Sequence, residues 1–322
     1  MTQPRIDVHA HYLPDFYRQA LNENGHSQPD GMPRIPEWSE AAALETMNTL
    51  GVQTALLSIS SPGVYFGDEA AARALSRRIN DEGARLKREN PGRFGFFAIT
   101  PLPDVGGAIA EATRALDELG ADGVAVESNH HGVYLGDAHL EPLYQALNAR
   151  KAVLFIHPTS PSCPCCQTLA LGYPRPILEF MFETTRTVSN MILSGVTQRY
   201  PDLRIVVPHA GAALPVLASR IESQKALLQG TTAKETAAAN FKGEMAKLYY
   251  DLAGAPLPEL LGALLQIART DHLLYGSDWP FTPAEGCVAL AKKLDETPLL
   301  AGDLRAQAMS GNALALFPRL AG

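Results

Sequence analysis

The sequence predicts a single α/β domain folded as a closed (β/α)8 barrel of the TIM type, and three observations carry that prediction. Eight short apolar runs alternate with helix-patterned segments along the 322 residues, the rhythm of a parallel sheet covered by helices. The runs are near-continuous in apolar character, as strands buried on both faces are. No Gly-x-Gly-x-x-Gly follows any of them, which argues against the runner-up, an open doubly wound sheet. Barrels of this size are commonly one domain, here 1–322.

The first strand is Arg5-Ile6-Asp7-Val8-His9-Ala10-His11. A polar stretch over 12–38, rich in Pro, Gly and Asn, reads as an insertion loop, a lid or binding loop by its length. Ser39 is then an N-cap for a helix to Leu50, stopped by Gly51. Strand two is Val52–Ser60, followed by a helix over Asp68–Glu89 that ends at Asn90-Pro91-Gly92. Strand three is Arg93–Thr100, and Asp104 caps the next helix. Strand four is Ala121–Ser128 and strand five Ala152–Pro158, with a short helix over Leu140–Arg150 between them. A mostly helical segment over Pro176–Tyr200 leads to strand six, Leu203–Gly211. A helix over Leu214–Leu228 follows, and the Ala-rich Thr232–Asn240 reads as a helix end or surface connection. Strands seven and eight are Lys247–Gly254 and His272–Pro280, separated by a helix over Pro258–Arg269; helices over Pro283–Leu294 and Asp303–Phe317 finish the chain.

Composition narrows the function classes. The chain is 46% hydrophobic and 19% charged, with a net charge of −7. No basic block or aromatic–basic alternation points to nucleic acid. No apolar run reaches the length of a membrane span, and the N-terminus lacks the apolar core of a signal peptide, so the expected location is cytoplasmic. Cys163, Cys165 and Cys166 have no second cluster nearby to complete a zinc site; they read as reduced thiols on a loop.

Barrel enzymes place their chemistry at the C-terminal ends of the strands. Here strand one ends in His9 and His11, which as residues i and i+2 share one face. Strand five ends in His157, strand six in His209 and strand eight in Asp278. Singly, each has an ordinary structural reading: His157 as a core histidine, Asp278 as a helix cap. Together, five ligand-type or acid–base groups from four strands at one rim indicate a metal centre. Three neutral imidazoles and a carboxylate suit one divalent ion, zinc first and manganese second, with a position left open. Strand four supplies no lysine to bridge two ions; Glu127 is the one group there that could, and a single ion is favoured.

His9-Ala10-His11, His157-Pro158, His209-Ala210-Gly211 and Gly276-Ser277-Asp278-Trp279-Pro280, in that order, resemble the amidohydrolase superfamily. More narrowly they resemble its branch around aminocarboxymuconate-semialdehyde decarboxylase and the aromatic-acid decarboxylases. The opening Ile6–Pro14 and Ile35-Pro36-Glu37-Trp38-Ser39 are most similar to 6-methylsalicylate decarboxylase-like members. The resemblance implies that His9, His11, His157 and Asp278 hold the metal and that His209 is the catalytic histidine. It implies that Arg220, eleven residues after His209, contacts a substrate carboxylate, in some members across the interface of a homodimer. Resorcylate-type members carry a glutamate three residues after the catalytic histidine, where this chain has Ala212, and many begin the first motif with glutamate where it has His9. Both departures point to the muconate-semialdehyde and methylsalicylate side.

The implied reaction is metal-dependent, non-oxidative decarboxylation of a small aromatic, salicylate-type carboxylic acid, with release of carbon dioxide and no organic cofactor. A proton reaches the ring carbon from Asp278 or a metal-bound water, assisted by His209. The same ligands serve the alternative, hydrolysis of a lactone, ester or amide.

Overall fold

The structure, a computed structural model, describes residues 4–162, 170–224, 227 and 240–320. Eight parallel strands form one sheet in chain order: β1 (Arg5–His11), β2 (Val52–Ser58), β3 (Phe94–Ile99), β4 (Gly123–Glu127), β5 (Val153–His157), β6 (Arg204–Val207), β7 (Tyr249–Asp251) and β8 (Leu273–Leu274). The sheet closes on itself. Val8 N–H donates to Tyr275 O (3.0 Å) and His11 N–H to Trp279 O (2.8 Å), and Ala10 bridges Trp279. The barrel expectation holds.

Nine helices concern the site or the covering layer: α1 (Asp15–Glu23), α2 (Glu40–Leu50), α3 (Glu69–Glu89), α4 (Val105–Asp117), α5 (Glu141–Ala149), α6 (Glu179–Leu193), α7 (Leu214–Gln224), α8 (Glu259–Leu264) and α9 (Ala284–Glu296). The capping chemistry is local and as expected. Ser39, Asp68 and Asp104 each accept a backbone N–H from the residue three positions on, satisfying a donor that the helix start leaves free.

Three expectations are corrected. The 12–38 insertion is not a structureless loop, because α1 lies inside it. Tyr17 and Leu21, four residues apart and therefore on one helix face, are both buried, and Tyr17 Oη donates to Gly63 O at 2.8 Å. Strands seven and eight are shorter than the apolar runs that predict them, because their distal halves turn over the rim as loops. The C-terminal helix is broken into Asp303–Ala306, a π-helical turn over Gln307–Gly311, and Asn312–Leu316.

The barrel interior is packed with side chains. Ile6, Val8, Leu56, Ala125 and Val206 fill it, and Leu316 and Phe317 from the C-terminal segment join the same cluster. A line of rings rises from that segment to the rim. Phe317 meets Phe97 at 5.9 Å, Phe97 stacks on Phe155 at 5.1 Å, and Phe155 meets His9 at 5.0 Å between centroids. The first metal-ligand candidate thus stands on a filled column. Among the described residues no helix is long and apolar enough to cross a membrane.

Candidate active site

On β1 the two-residue period aims His9 and His11 at one point, and both side chains are fully buried. Each candidate imidazole is fixed through Nδ1, which leaves Nε2 to turn inward. His9 Nδ1 donates to Asp251 Oδ2 (2.9 Å), His11 Nδ1 to Ser58 O (3.3 Å), and His157 Nδ1 to Pro158 O (2.7 Å). His9 Nε2 is buried with no hydrogen-bond partner.

Asp278 meets the imidazoles from the opposite side of the seam. Its Oδ1 lies 3.1 Å from His11 Nε2 and 3.5 Å from His9 Nε2. One donor atom from each of His9, His11, His157 and Asp278 falls within 4.8 Å of all the others. Three nitrogens and one carboxylate oxygen at that separation fit a divalent ion. His209 stands beside this group: its Nε2 is 3.8 Å from Asp278 Oδ2.

Asp278 and His209 reach these positions through left-handed backbone, with φ of 61° and 55°; Ala210 and Ala212 share it. Two buried carboxylates brace the two turns. Asp7 Oδ1 accepts the N–H groups of His9 (3.0 Å) and Ser277 (3.1 Å). Asp251 Oδ1 accepts those of His209 (3.0 Å) and Ala253 (3.0 Å) while its other oxygen holds His9. Glycines admit the close approaches. A Cβ on Gly276 would meet His9 Cβ at 2.8 Å, and one on Gly254, at φ +73°, would meet His209 Cδ2 at 3.1 Å.

Burial lowers His11 and, further, His157, so both favour the neutral form that ligation needs. Burial also pulls His9 down, but the Asp251 carboxylate more than offsets it and lifts the ring to about 9. For Asp278 burial is outweighed by hydrogen bonds from His11 and His209, which hold its carboxyl well below the usual range. Desolvation pushes Asp7 up to about 7 despite its hydrogen bonds.

His157, His209 and Asp278 line a cavity of about 520 Å³. Its other walls are largely apolar, with Met32, Ile177, Phe180, Leu260 and Phe281, while Asp30, Ser60 and Ser61 add polar groups. A ring of one small aromatic acid fits such a space.

The structure brings together all five rim residues predicted from the sequence. Arg220 is not with them: it lies exposed on α7 and does not line the cavity. Glu127 is buried on β4 with Oε2 3.8 Å from His157 Nδ1, on the side of the ring turned away from the ligand cluster, so it does not bridge ions. Cys163, Cys165 and Cys166 lie outside the described residues. Asp7 and Asp251 are the functional residues that the sequence reading missed. Their signal is a carboxylate inside an apolar strand, which is almost never fully buried without a partner.

A family model described as amidohydrolase matches residues 6–319. The chain is 35% identical to the 6-methylsalicylic acid decarboxylase of Penicillium expansum, over 99% of this chain and 97% of that one. A crystal structure titled amidohydrolase II superposes with a TM-score of 0.91 at 36% identity, covering 98% of this chain and 99% of that chain. At 22% identity, 5-carboxyvanillate decarboxylase of Novosphingobium aromaticivorans, solved with manganese and 4-hydroxy-3-methoxy-5-nitrobenzoic acid, shares the fold with a TM-score of 0.87, covering 98% of this chain and 96% of that chain.

Proposed function

The chain belongs to the amidohydrolase family, and from that premise we propose that it is a metal-dependent decarboxylase of small hydroxylated aromatic acids, with a 6-methylsalicylate-type acid as its substrate. The observation that carries the reading is the convergence of His9, His11, His157 and Asp278 at the end of a cavity otherwise walled by apolar and aromatic side chains. The full-length similarity to a 6-methylsalicylic acid decarboxylase supports it.

In this reading those four residues hold one divalent ion. Three imidazoles favour zinc; the manganese bound by the carboxyvanillate enzyme makes manganese the second candidate. When bound, the ion would supply Lewis-acid polarisation of substrate oxygens. The protein's residues supply position and a proton. Phe180 and Phe281 flank the ring and exclude water. His209 and Asp278, 3.8 Å apart, share the proton. The proton adds to the carbon bearing the carboxylate. The carbon–carbon bond then breaks, its electron pair returns to the ring, and carbon dioxide leaves without redox change.

Arg220 and a homodimer belong to the same reading. Exposed on α7, Arg220 would meet substrate only in a neighbouring copy's site. Leu171, Tyr173, Ile177, Leu178 and Phe182 are exposed in one stretch of sequence, as a second copy's contact surface would be. A cytoplasmic location rests on the sequence alone.

Incubation of zinc- or manganese-loaded protein with 6-methylsalicylate, with release of carbon dioxide followed, tests the proposal. Esters and lactones run alongside. Turnover of the second group with none of the aromatic acids would replace decarboxylation with hydrolysis.

A further inference from the structure

Four imidazoles crowd the rim, and three of them are fixed through Nδ1: His9 by Asp251 Oδ2, His11 by Ser58 O and His157 by Pro158 O. His209 is the exception. Its Nδ1 is buried without a hydrogen-bond partner, and its Nε2 stands 3.8 Å from Asp278 Oδ2, too far to fix the orientation of the ring. A ring held this loosely takes its position from the backbone beneath it.

That backbone is a run of four left-handed residues, His209, Ala210, Gly211 and Ala212, with φ of 55°, 54°, 79° and 55°. Such a run is strained at each residue other than glycine and keeps its shape only where the surroundings hold it. Within it, Gly211 N–H donates to Pro208 O (3.1 Å) and Ala212 N–H to His209 O (3.0 Å). Its first amide, His209 N–H, goes to Asp251 Oδ1. Its far end is held by a side chain that no step of the proposed reaction uses. Ala213 N–H, the amide directly after the run, donates to Thr185 Oγ1 at 3.1 Å. Thr185 is buried on α6. Its hydroxyl donates to Met181 O at 2.7 Å, which leaves the oxygen's lone pairs to accept. Phe180 and Met181, on the same helix, line the catalytic cavity. One hydroxyl thus ties the His209 turn to the helix that walls the cavity.

We propose that Thr185 is a positioning residue for His209. It clamps the C-terminal end of the strained turn, keeps the ring within reach of Asp278, and sets it in register with the wall against which the substrate ring lies. This rests on the acid–base role proposed for His209. Thr185 does not line the cavity and acts only through the turn. A hydroxyl that merely packed a helix would matter to stability alone. Thr187 supplies that comparison: it is fully buried on the same helix, and its hydroxyl donates to Ser128 O at 2.6 Å, away from the His209 turn.

Zinc-loaded Thr185→Val, Thr185→Ser and Thr187→Val are assayed for release of carbon dioxide from 6-methylsalicylate, and the histidine ring signals of each are recorded by NMR after nitrogen-15 labelling. His209→Ala assigns the His209 signals by their loss. Thr185→Val is isosteric and should lower kcat at least about tenfold, since misplacing a reacting group by about 1 Å costs on the order of a hundredfold. KM and bound zinc should be unchanged. The His209 signals should shift. Thr185→Ser, which keeps the hydroxyl, should restore both kcat and the signals. Thr187→Val should leave both as in the wild type. Thr185→Ala carries the same test should the valine variant fail to fold. An unchanged kcat in Thr185→Val overturns the proposal, as does a loss that serine does not rescue or that Thr187→Val reproduces. If the wild type releases no carbon dioxide, the proposed reaction falls, and the ring signals alone then decide: unmoved in Thr185→Val, they overturn the positioning role; shifted and restored by serine, they support it.

Discussion

Strand β1 and the turns after β6 and β8 deliver side chains to the same point by opposite means. His9 and His11 stand two residues apart on a strand without positive φ, although its register with β2 shifts between Asp7 and Ala10. His209 and Asp278 arrive on left-handed backbone at φ 55° and 61°, a conformation that costs about 1–3 kcal/mol per residue and persists only where the surroundings enforce it. Asp7 and Asp251 do the enforcing, one buried carboxylate for each turn, and both also hold His9. Strand and turns thus lean on the same two buried acids, but only the turns carry left-handed backbone.

That difference can be tested from its largest consequence down. His11→Ala and His157→Ala should lose metal by more than about a hundredfold in affinity, beyond the range for outer-shell partners; metal analysis after dialysis checks this. His209→Ala should retain metal while kcat falls about 10²–10⁴-fold. If it sheds metal, His209 is a ligand and the distinction between holding and reacting groups fails. Asp251→Asn should weaken metal binding about 10–100-fold, because the His9 ring loses the carboxylate that orients it; chelator competition measures it.

The Asp7 carboxyl gives a pH signature. Its folded value is about 7 against 3.8 when unperturbed, so between those values the folded chain holds a proton that the unfolded chain releases. Its contribution to stability is present below about pH 4 and is lost as pH rises toward 7. Asp7→Asn keeps an acceptor oxygen for the two N–H groups and removes the titration. Its melting temperature should therefore gain on the wild type across that window and level off above it. A constant difference would show that Asp7 braces the turn already ionised. The smallest effect concerns Ala212, at φ 55° and ψ −128°, a region that suits glycine. Ala212→Gly should fare better in urea unfolding than Ala218→Gly in α7 by about 1–2 kcal/mol; equal losses would remove the strain argument.

The same contrast explains what could be read from the sequence. The eight-strand rhythm and the helix caps at Ser39, Asp68 and Asp104 are local patterns, and local patterns were legible. So were all five rim residues, since strand ends locate them without any knowledge of backbone handedness. Asp7 and Asp251 were passed over because they sit in strands that read as apolar, and their partners lie far away in sequence. Helix α1 was lost among Pro, Gly and Asn, although Tyr17 and Leu21 carried its spacing. The hydrogen bonds of Ser61 to Thr159 and of Ser160 to Asp30 join three loops, and no single stretch announces them.

The proposed ligand set straddles the seam at which the barrel closes. His9 and His11 stand on the first strand and Asp278 follows the last; His11 and Asp278 are 267 residues apart. A ribosome adding roughly 5–20 residues per second therefore exposes half of a metal site for on the order of tens of seconds before the other half exists. If the proposed ligands hold an ion, its capture at full affinity would coincide with the arrival of the final strand and so certify a finished chain. Afterwards it would work as a clasp between the two ends of the barrel, tightening as the free ion concentration rises. Chelation should loosen the β1–β8 seam before any other pair of strands, and hydrogen exchange at the Val8 and His11 amides would record the opening.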